Sequence, residues 1–344
     1  VVLNIIRCMA LLLIIYDHLW GMRMSEFYLV TLIDKLFMIP FNVIQWGGAL
    51  GVSLFFIISG YLLVMGIDRK GYDIKCLPSK IISLYVPCMI SYATFYVFQG
   101  IVAISEYGRY FKQFSAKDWL LGGTLLAYFT PRGDVVNGTT WYLVATFFAY
   151  TYILLFAGLI KKTPGKGIAA TQIFIGILMC LPRSLSNEGI FKSLFSYNWY
   201  VYIVIYGVII YCIQHKKLRL NEAVFVSGLN YILLLVGVYM YAPQYASSES
   251  SYLISIAYAV LIVIAGLCIE AIYGLKQSKL AAQVSDISFY VYLVHMTYGG
   301  LLLSLLTPYF PCVPVSMITM FIIVLIAYFH KKICKWIGVR RKRV

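Results

Sequence analysis

Residues 2–20 read VLNIIRCMALLLIIYDHLW. The run is predominantly apolar, and a helical membrane span needs about 20 such residues. Nine further runs of the same character follow, at roughly 48–66, 81–103, 140–160, 167–182, 195–214, 223–241, 252–274, 286–306 and 315–335. The 167–182 run is the shortest. Because the runs are continuous rather than short alternating segments, they predict helices and not transmembrane β-strands. The expected fold is therefore all-α, a polytopic membrane helical bundle with about ten transmembrane helices. Residues 1–336 form one integral-membrane domain and 337–344 a basic tail. No small-x-small cleavage site follows the first run, which also carries Asp17 and His18, so it does not read as a cleavable signal.

Composition agrees. The 344-residue chain is 62% hydrophobic and 12% charged, with a mean hydropathy of +0.85. Soluble domains average about 45–50% apolar and about 25% charged residues. A water-soluble globule and a disordered chain are both excluded.

The net charge of +15, from 28 Lys and Arg against 13 Asp and Glu, would point to nucleic acid in a soluble protein. Its distribution says otherwise. An even number of spans leaves both termini on one side, and placing that side in the cytoplasm puts 19 cations in inner segments and 8 in outer ones. The remaining cation, Arg7, lies within the first span. This is the positive-inside pattern, so the charge reports topology: both termini cytoplasmic, in a multi-pass protein of the cell (cytoplasmic, inner) membrane. The lipid bilayer is the expected partner, and nucleic acid is not.

The longest extramembrane segments, 21–47 and 104–139, fall outside the cell in this topology, and the apolar stretch from Phe37 to Trp46 is expected in the headgroup region. No internal repeat is visible. Cys8, Cys88, Cys180, Cys212 and Cys268 fall within spans, Cys76 and Cys334 in inner segments, and only Cys312 outside. The pattern therefore offers no disulfide framework, and no C-x-x-C to hold a metal.

Ionisable groups within spans are costly and mark functional sites. Arg7 and His18 are eleven residues apart, three helical turns plus about 20°, so both project from one face roughly 16 Å apart along the axis. Arg7 stands toward the cytoplasmic end and His18 toward the outer end. By the same 100° per residue, Asp17 points away from His18. Alone, Arg7 is explained by snorkelling and His18 by an interfacial position; the pair on one face argues for a site joining the two sides. In the second span, Gly51, Ser59 and Gly60 permit close helix approach, and Ser53 or Ser59 can hydrogen-bond across helices. Ser59 as a nucleophile needs an adjacent base. His295 fits an interhelical hydrogen bond as well as chemistry. Glu270 is expected to pair with Lys276 or Lys279, and His215 and His330 to be solvated.

These residues resemble a known family. Arg7 and His18 match an R-x10-H signature, and Phe55-Phe-Ile-Ile-Ser-Gly60 an FFxxSG signature, of the acyltransferase 3 family of integral-membrane acyltransferases. Trp141-Tyr142-Leu143 followed by Tyr150 is similar to its W-[FY]-L…Y helix, and Ser288-Phe-Tyr-Val-Tyr-Leu-Val-His295 to its late S-x-x-[IV]-Y-L-x-H segment. The matches occur in family order over essentially the whole chain. One departs: where the family has R-x-x-R before an I/L-Y-x-P segment, this chain has Lys80-Ile-Ile-Ser83-Leu-Tyr85-Val-Pro87. Lys80 keeps a cation without the planar fork, and Ser83 has none.

The resemblance implies an enzyme that moves an acyl group, usually acetyl, from cytoplasmic acetyl-CoA to a hydroxyl of a surface polysaccharide or glycolipid. It implies no permanently bound cofactor and no metal. Polyanionic CoA suits Arg7 and Lys80 as donor-binding cations. A hydroxyl acceptor needs a base, and histidine as a residue type suits that task; His18 is expected to be that base, or a transient acyl carrier. Asp17, Ser59, Trp141, Tyr142 and His295 are candidates to line the site, with Trp141 and Tyr142 placed either against a sugar or in the interfacial aromatic belt. Two other readings stay open: a transporter or flippase for a small solute or lipid-linked glycan, and a non-catalytic membrane sensor on the same fold.

Overall fold

The structure, a computed structural model, describes residues 1–21, 28–43, 47–99, 113–130, 136–181, 196–243, 252–276 and 278–338. Helices dominate, and no strand occurs among the described residues. In chain order they are α1 (Val2–Ile15), α2 (Tyr28–Ile33), α3 (Gly48–Lys70), α4 (Leu77–Gln99), α5 (Ala116–Gly123), α6 (Trp141–Leu155) and α7 (Ala157–Lys162). They continue with α8 (Pro164–Met179), α9 (Val201–Gln214), α10 (Leu220–Tyr241), α11 (Tyr252–Tyr273), α12 (Lys279–Val294), α13 (Gly300–Leu306) and α14 (Cys312–Trp336).

All ten apolar runs are predominantly helical over their described residues. Among the described residues, eight continuous helical stretches, π turns included, are long and apolar enough to cross a membrane. The other two runs give shorter pieces. The 140–160 run divides at Phe156 into α6 and α7, and the 167–182 run supplies only α8. The protein is a polytopic all-α bundle.

Helix α3 occupies the centre, packed against α1, α6, α9 and α11. Its sequence lacks a polar face over Gly48–Ile67, which suits a helix buried on all sides. Glycine sets how near its neighbours come. A Cβ on Gly60 would collide with the Val204 carbonyl of α9, and one on Gly207 with the Ile57 carbonyl of α3, while Gly51 faces the Ala10 carbonyl of α1. The two backbones thus touch at a reciprocal glycine crossing, as small residues permit within membranes. Gly51 and Gly60 meet the sequence expectation of close approach. Ser53 does not reach across; its hydroxyl donates to the Ala49 carbonyl of its own helix.

Helix α14 lies at the periphery, with Met317, Phe321 and Phe329 exposed by more than 60%. Apolar exposure of that extent belongs against lipid. Leu36, Phe37, Ile39 and Phe41 are each more than half exposed, an apolar surface suited to the headgroup boundary; residues 44–46 of that stretch lie outside the described residues. So do residues 339–344 of the basic tail.

Two polar expectations change. Glu270 accepts from the main-chain nitrogens of Val1, at 2.7 Å, and Val2, at 3.3 Å, rather than pairing with Lys276 or Lys279. His330 is buried, not solvated, because α14 turns it inward onto α4, where its Nε2 lies 2.9 Å from Thr94 Oγ1.

Candidate functional site

Two helices change their winding at the residues of interest. Beyond Ile15, α1 passes into a π turn, Tyr16–Gly21, that carries Asp17 and His18. Beyond Val294, α12 passes into a second π turn, His295–Gly299. Such turns occur often at functional sites, because the extra residue re-aims side chains that a regular helix would point elsewhere. The two π turns pack on each other. A Cβ on Gly299 would crowd Leu19 of the first turn and Ile323 of α14.

Their histidines meet. Nδ1 of His18 lies 2.7 Å from Nε2 of His295, with the rings 23° from parallel and centroids 5.0 Å apart. The Nδ1 of His295 lies 2.6 Å from the Tyr292 carbonyl one turn earlier. His295 has no exposed surface, whereas the His18 side chain is 19% exposed. The interhelical hydrogen bond expected of His295 is present, and its partner is His18.

Asp17 corrects the sequence geometry. Its Oδ2 lies 3.5 Å from His18 Nε2, although 100° per residue points the two apart. A π turn holds more residues per turn than an α-helix, so the angle between successive side chains closes. Asp17 is itself buried, pressed against Gly48 at the start of α3, where a Cβ would overlap the carboxylate.

A separate cavity of about 420 Å³ opens between α1, α3, α4, α6 and α12. Helical spacing builds its walls: Asn4 and Arg7 from α1, Phe55 and Ser59 from α3, and Lys80 and Ser83 from α4. Tyr142, Thr146 and Tyr150 come from α6, and Ser285, Phe289 and Tyr292 from α12. Positions 285, 289 and 292 form one stripe along α12 whose next member is His295.

Arg7 and Lys80 thus face one space. Lys80 Nζ stands 4.2 Å from the Tyr72 ring centroid, a cation–π contact that holds the ammonium at the cavity wall. Ser83 also lines the cavity, its hydroxyl donating to the Lys80 carbonyl at 2.6 Å. The position where the family has a second arginine is therefore in the wall itself, and here it offers a hydroxyl. Ser285 donates to Asn4 Oδ1 at 3.0 Å, and Asp286 pairs with Lys331.

Tyr292 is the last α12 residue of the lining before His295, and Tyr142 lines the cavity beside it. Their rings meet edge to face at 5.3 Å. The Tyr142 and Ser59 hydroxyls lie 3.3 Å apart, and Tyr292 donates to the Thr139 carbonyl. Tyr292 belongs to both assemblies, its ring lining the cavity and its carbonyl holding His295.

The predicted site residues accordingly form two groups. Arg7, Ser59, Lys80 and Tyr142 share the cavity; Asp17, His18 and His295 form a cluster one turn beyond its tyrosine wall. Trp141 lies in neither. It packs 4.5 Å from the Tyr200 ring and 6.1 Å from Phe56, in an aromatic cluster whose pair contacts are each worth roughly 0.5–1.5 kcal/mol beyond area burial. Tyr292 falls at the tyrosine of the late motif but is not singled out by sequence as a site residue, though its place on the stripe through Ser285, Ser288 and His295 marks it. Among the described residues, no three His, Cys, Asp or Glu side chains are arranged to hold a metal.

The family model described as the acyltransferase domain, of acyltransferase 3 type, matches residues 1–330. No curated protein and no solved structure matches the chain.

Proposed function

Since the chain belongs to the acyltransferase 3 family and is a multi-pass membrane protein, we propose that it moves an acetyl group from cytoplasmic acetyl-CoA to a hydroxyl of an extracytoplasmic polysaccharide or glycolipid. The observation that carries this reading is the alignment of a cation-bearing cavity with a histidine pair one helical turn beyond its end. Arg7 and Lys80 supply charge for a phosphorylated donor. The cavity, about 420 Å³, falls within the range of small-molecule sites, and its α12 lining runs from Ala282 to Tyr292, where Tyr142 also stands.

His18 is the base. It takes the proton of the acceptor hydroxyl as that oxygen attacks the thioester carbonyl; the C–S bond then breaks, and the departing thiolate receives the proton. The products are the O-acetylated acceptor and free CoA thiol, and His18 returns to its starting state. General-base help of this kind contributes about 10²–10⁴-fold. For donor and base to meet, the Tyr142–Tyr292 wall has to part or the acyl end has to pass between the rings. Both termini face the cytoplasm in this arrangement, which puts Arg7 on the donor's side and His18 on the acceptor's, in the cell's inner membrane.

Mass spectrometry of surface glycans from a deletion strain tests the reading. Loss of one acetyl mass, restored by the wild-type chain and not by a stably inserted His18→Ala chain, is expected. Restoration by His18→Ala sinks the role given to His18, and an unchanged glycan profile on deletion sinks the acceptor class.

A further inference from the structure

We infer that His295 is a positioning residue that sets the tautomer of His18, making Nε2 of His18, beside Asp17, the nitrogen that accepts the proton. The inference rests on the reading of His18 as the base and assigns the atom and the partner that select it.

The hydrogen-bond directions follow from what each group can do. A backbone carbonyl only accepts, so the 2.6 Å contact from His295 Nδ1 to the Tyr292 carbonyl puts a hydrogen on Nδ1. A neutral imidazole has one N–H and one lone pair, which leaves Nε2 of His295 as an acceptor. The 2.7 Å contact to His18 then needs its hydrogen from His18 Nδ1. Neutral His18 is therefore the Nδ1–H tautomer, with its lone pair on Nε2.

The opposite assignment makes His295 a cation that donates from both nitrogens. That places a charge on a ring with no exposed surface, and burying an ion without a paired counter-ion is strongly unfavourable. The nearest carboxylate serves the other ring, since Asp17 Oδ2 lies 3.5 Å from His18 Nε2. Asp17 is thus placed to stabilise the imidazolium that forms when Nε2 takes a proton, while His295 stays neutral throughout. A histidine is oriented by the bond its other nitrogen makes, and here that bond runs between two π turns whose winding aims both rings.

The chain has four histidines, so ¹⁵N-histidine labelling of the full protein in bilayers is tractable, with His18→Ala identifying the His18 signals. Neutral His18 is expected to show a protonated Nδ1 and a bare Nε2, and His295 the same. A neutral His18 protonated at Nε2 overturns the inference, whatever the protein's activity. Kinetics supply a second arm. His295→Gln keeps an acceptor for the Nδ1–H, whereas His295→Leu fills the space without one. The expected result is a fall in kcat of a hundredfold or more for His295→Leu, with the acetyl-CoA KM unchanged, and activity within tenfold of wild type for His295→Gln. Mere packing predicts the reverse order, and His295→Leu as active as wild type overturns the inference. Because the spectrum is read without turnover, failure of the tautomer and failure of His18 as base remain separate results.

Discussion

Gly48 at the start of α3 abuts the carboxylate of Asp17 with no room for a Cβ between them. A backbone atom of the central helix therefore decides where the acid beside His18 sits. Gly48→Ala is expected to lower acyl transfer at least tenfold and to destabilise the fold by about 1–3 kcal/mol, the usual range for overpacking. The cause is checked by a double-mutant cycle on thermal stability. In an Asp17→Ala background, the stability cost of Gly48→Ala should largely vanish. A cost that persists there means the collision is with something other than the carboxylate.

Lys80 and Ser83 occupy the same wall of the cavity, so under the proposed reading a charged donor would meet one cation on this side. Removing a charged hydrogen-bond partner costs about 1.5–3 kcal/mol, roughly ten- to a hundredfold in affinity. Lys80→Ala should weaken acetyl-CoA binding by that factor, measured by calorimetry on detergent-solubilised protein. Ser83→Arg should tighten it, because a guanidinium adds a fork that meets phosphate with two hydrogen bonds. Unchanged affinity in both variants removes this wall from the donor site.

Ser59 is the hydroxyl that a covalent route through serine would use. Its partner is the Tyr142 hydroxyl at 3.3 Å, and neither His18 nor His295 lines the cavity it faces. A serine nucleophile needs a base within hydrogen-bond reach. Ser59→Ala is thus expected to keep kcat within tenfold of wild type in a radiolabelled acetyl-transfer assay. A loss of a thousandfold with the protein still folded makes Ser59 an acyl carrier.

Hydrophobic run length foretold the bundle well, because the bilayer imposes one dominant demand, about 20 apolar residues per crossing. It did worst where tertiary packing sets the backbone. The break at Phe156 has no proline or glycine at the position itself, and the π turns at Tyr16–Gly21 and His295–Gly299 leave no mark in a pattern read at 100° per residue. That ruler put Arg7 and His18 on one face, whereas Arg7 lines the cavity and His18 sits in the π turn beyond it; it also mis-aimed Asp17. Nor does spacing along one helix join His18 to His295, 277 residues apart. Both stood out as ionisable groups within spans, which single residues can reveal; their contact depends on α1 packing against α12.

Helix proximity gives the remaining prediction. At the α3–α9 crossing, Gly60 faces the Val204 carbonyl and Gly207 the Ile57 carbonyl, so a methyl group at either position must push a backbone away. Side chains yield to a new methyl by changing rotamer, but helix backbones do not, and these two helices carry much of the core. Gly60→Ala and Gly207→Ala should each destabilise by about 1–3 kcal/mol. The two should be non-additive, since the first displacement opens the space the second needs. Gly228, in α10, is the control: nothing lies within 4 Å of a Cβ built there, and alanine in a helix interior is favoured over glycine by roughly 0.8–1.0 kcal/mol. Gly228→Ala should therefore leave the denaturation midpoint unchanged or raise it. If it falls as far as the crossing variants do, helix contact is not what Gly60 and Gly207 provide.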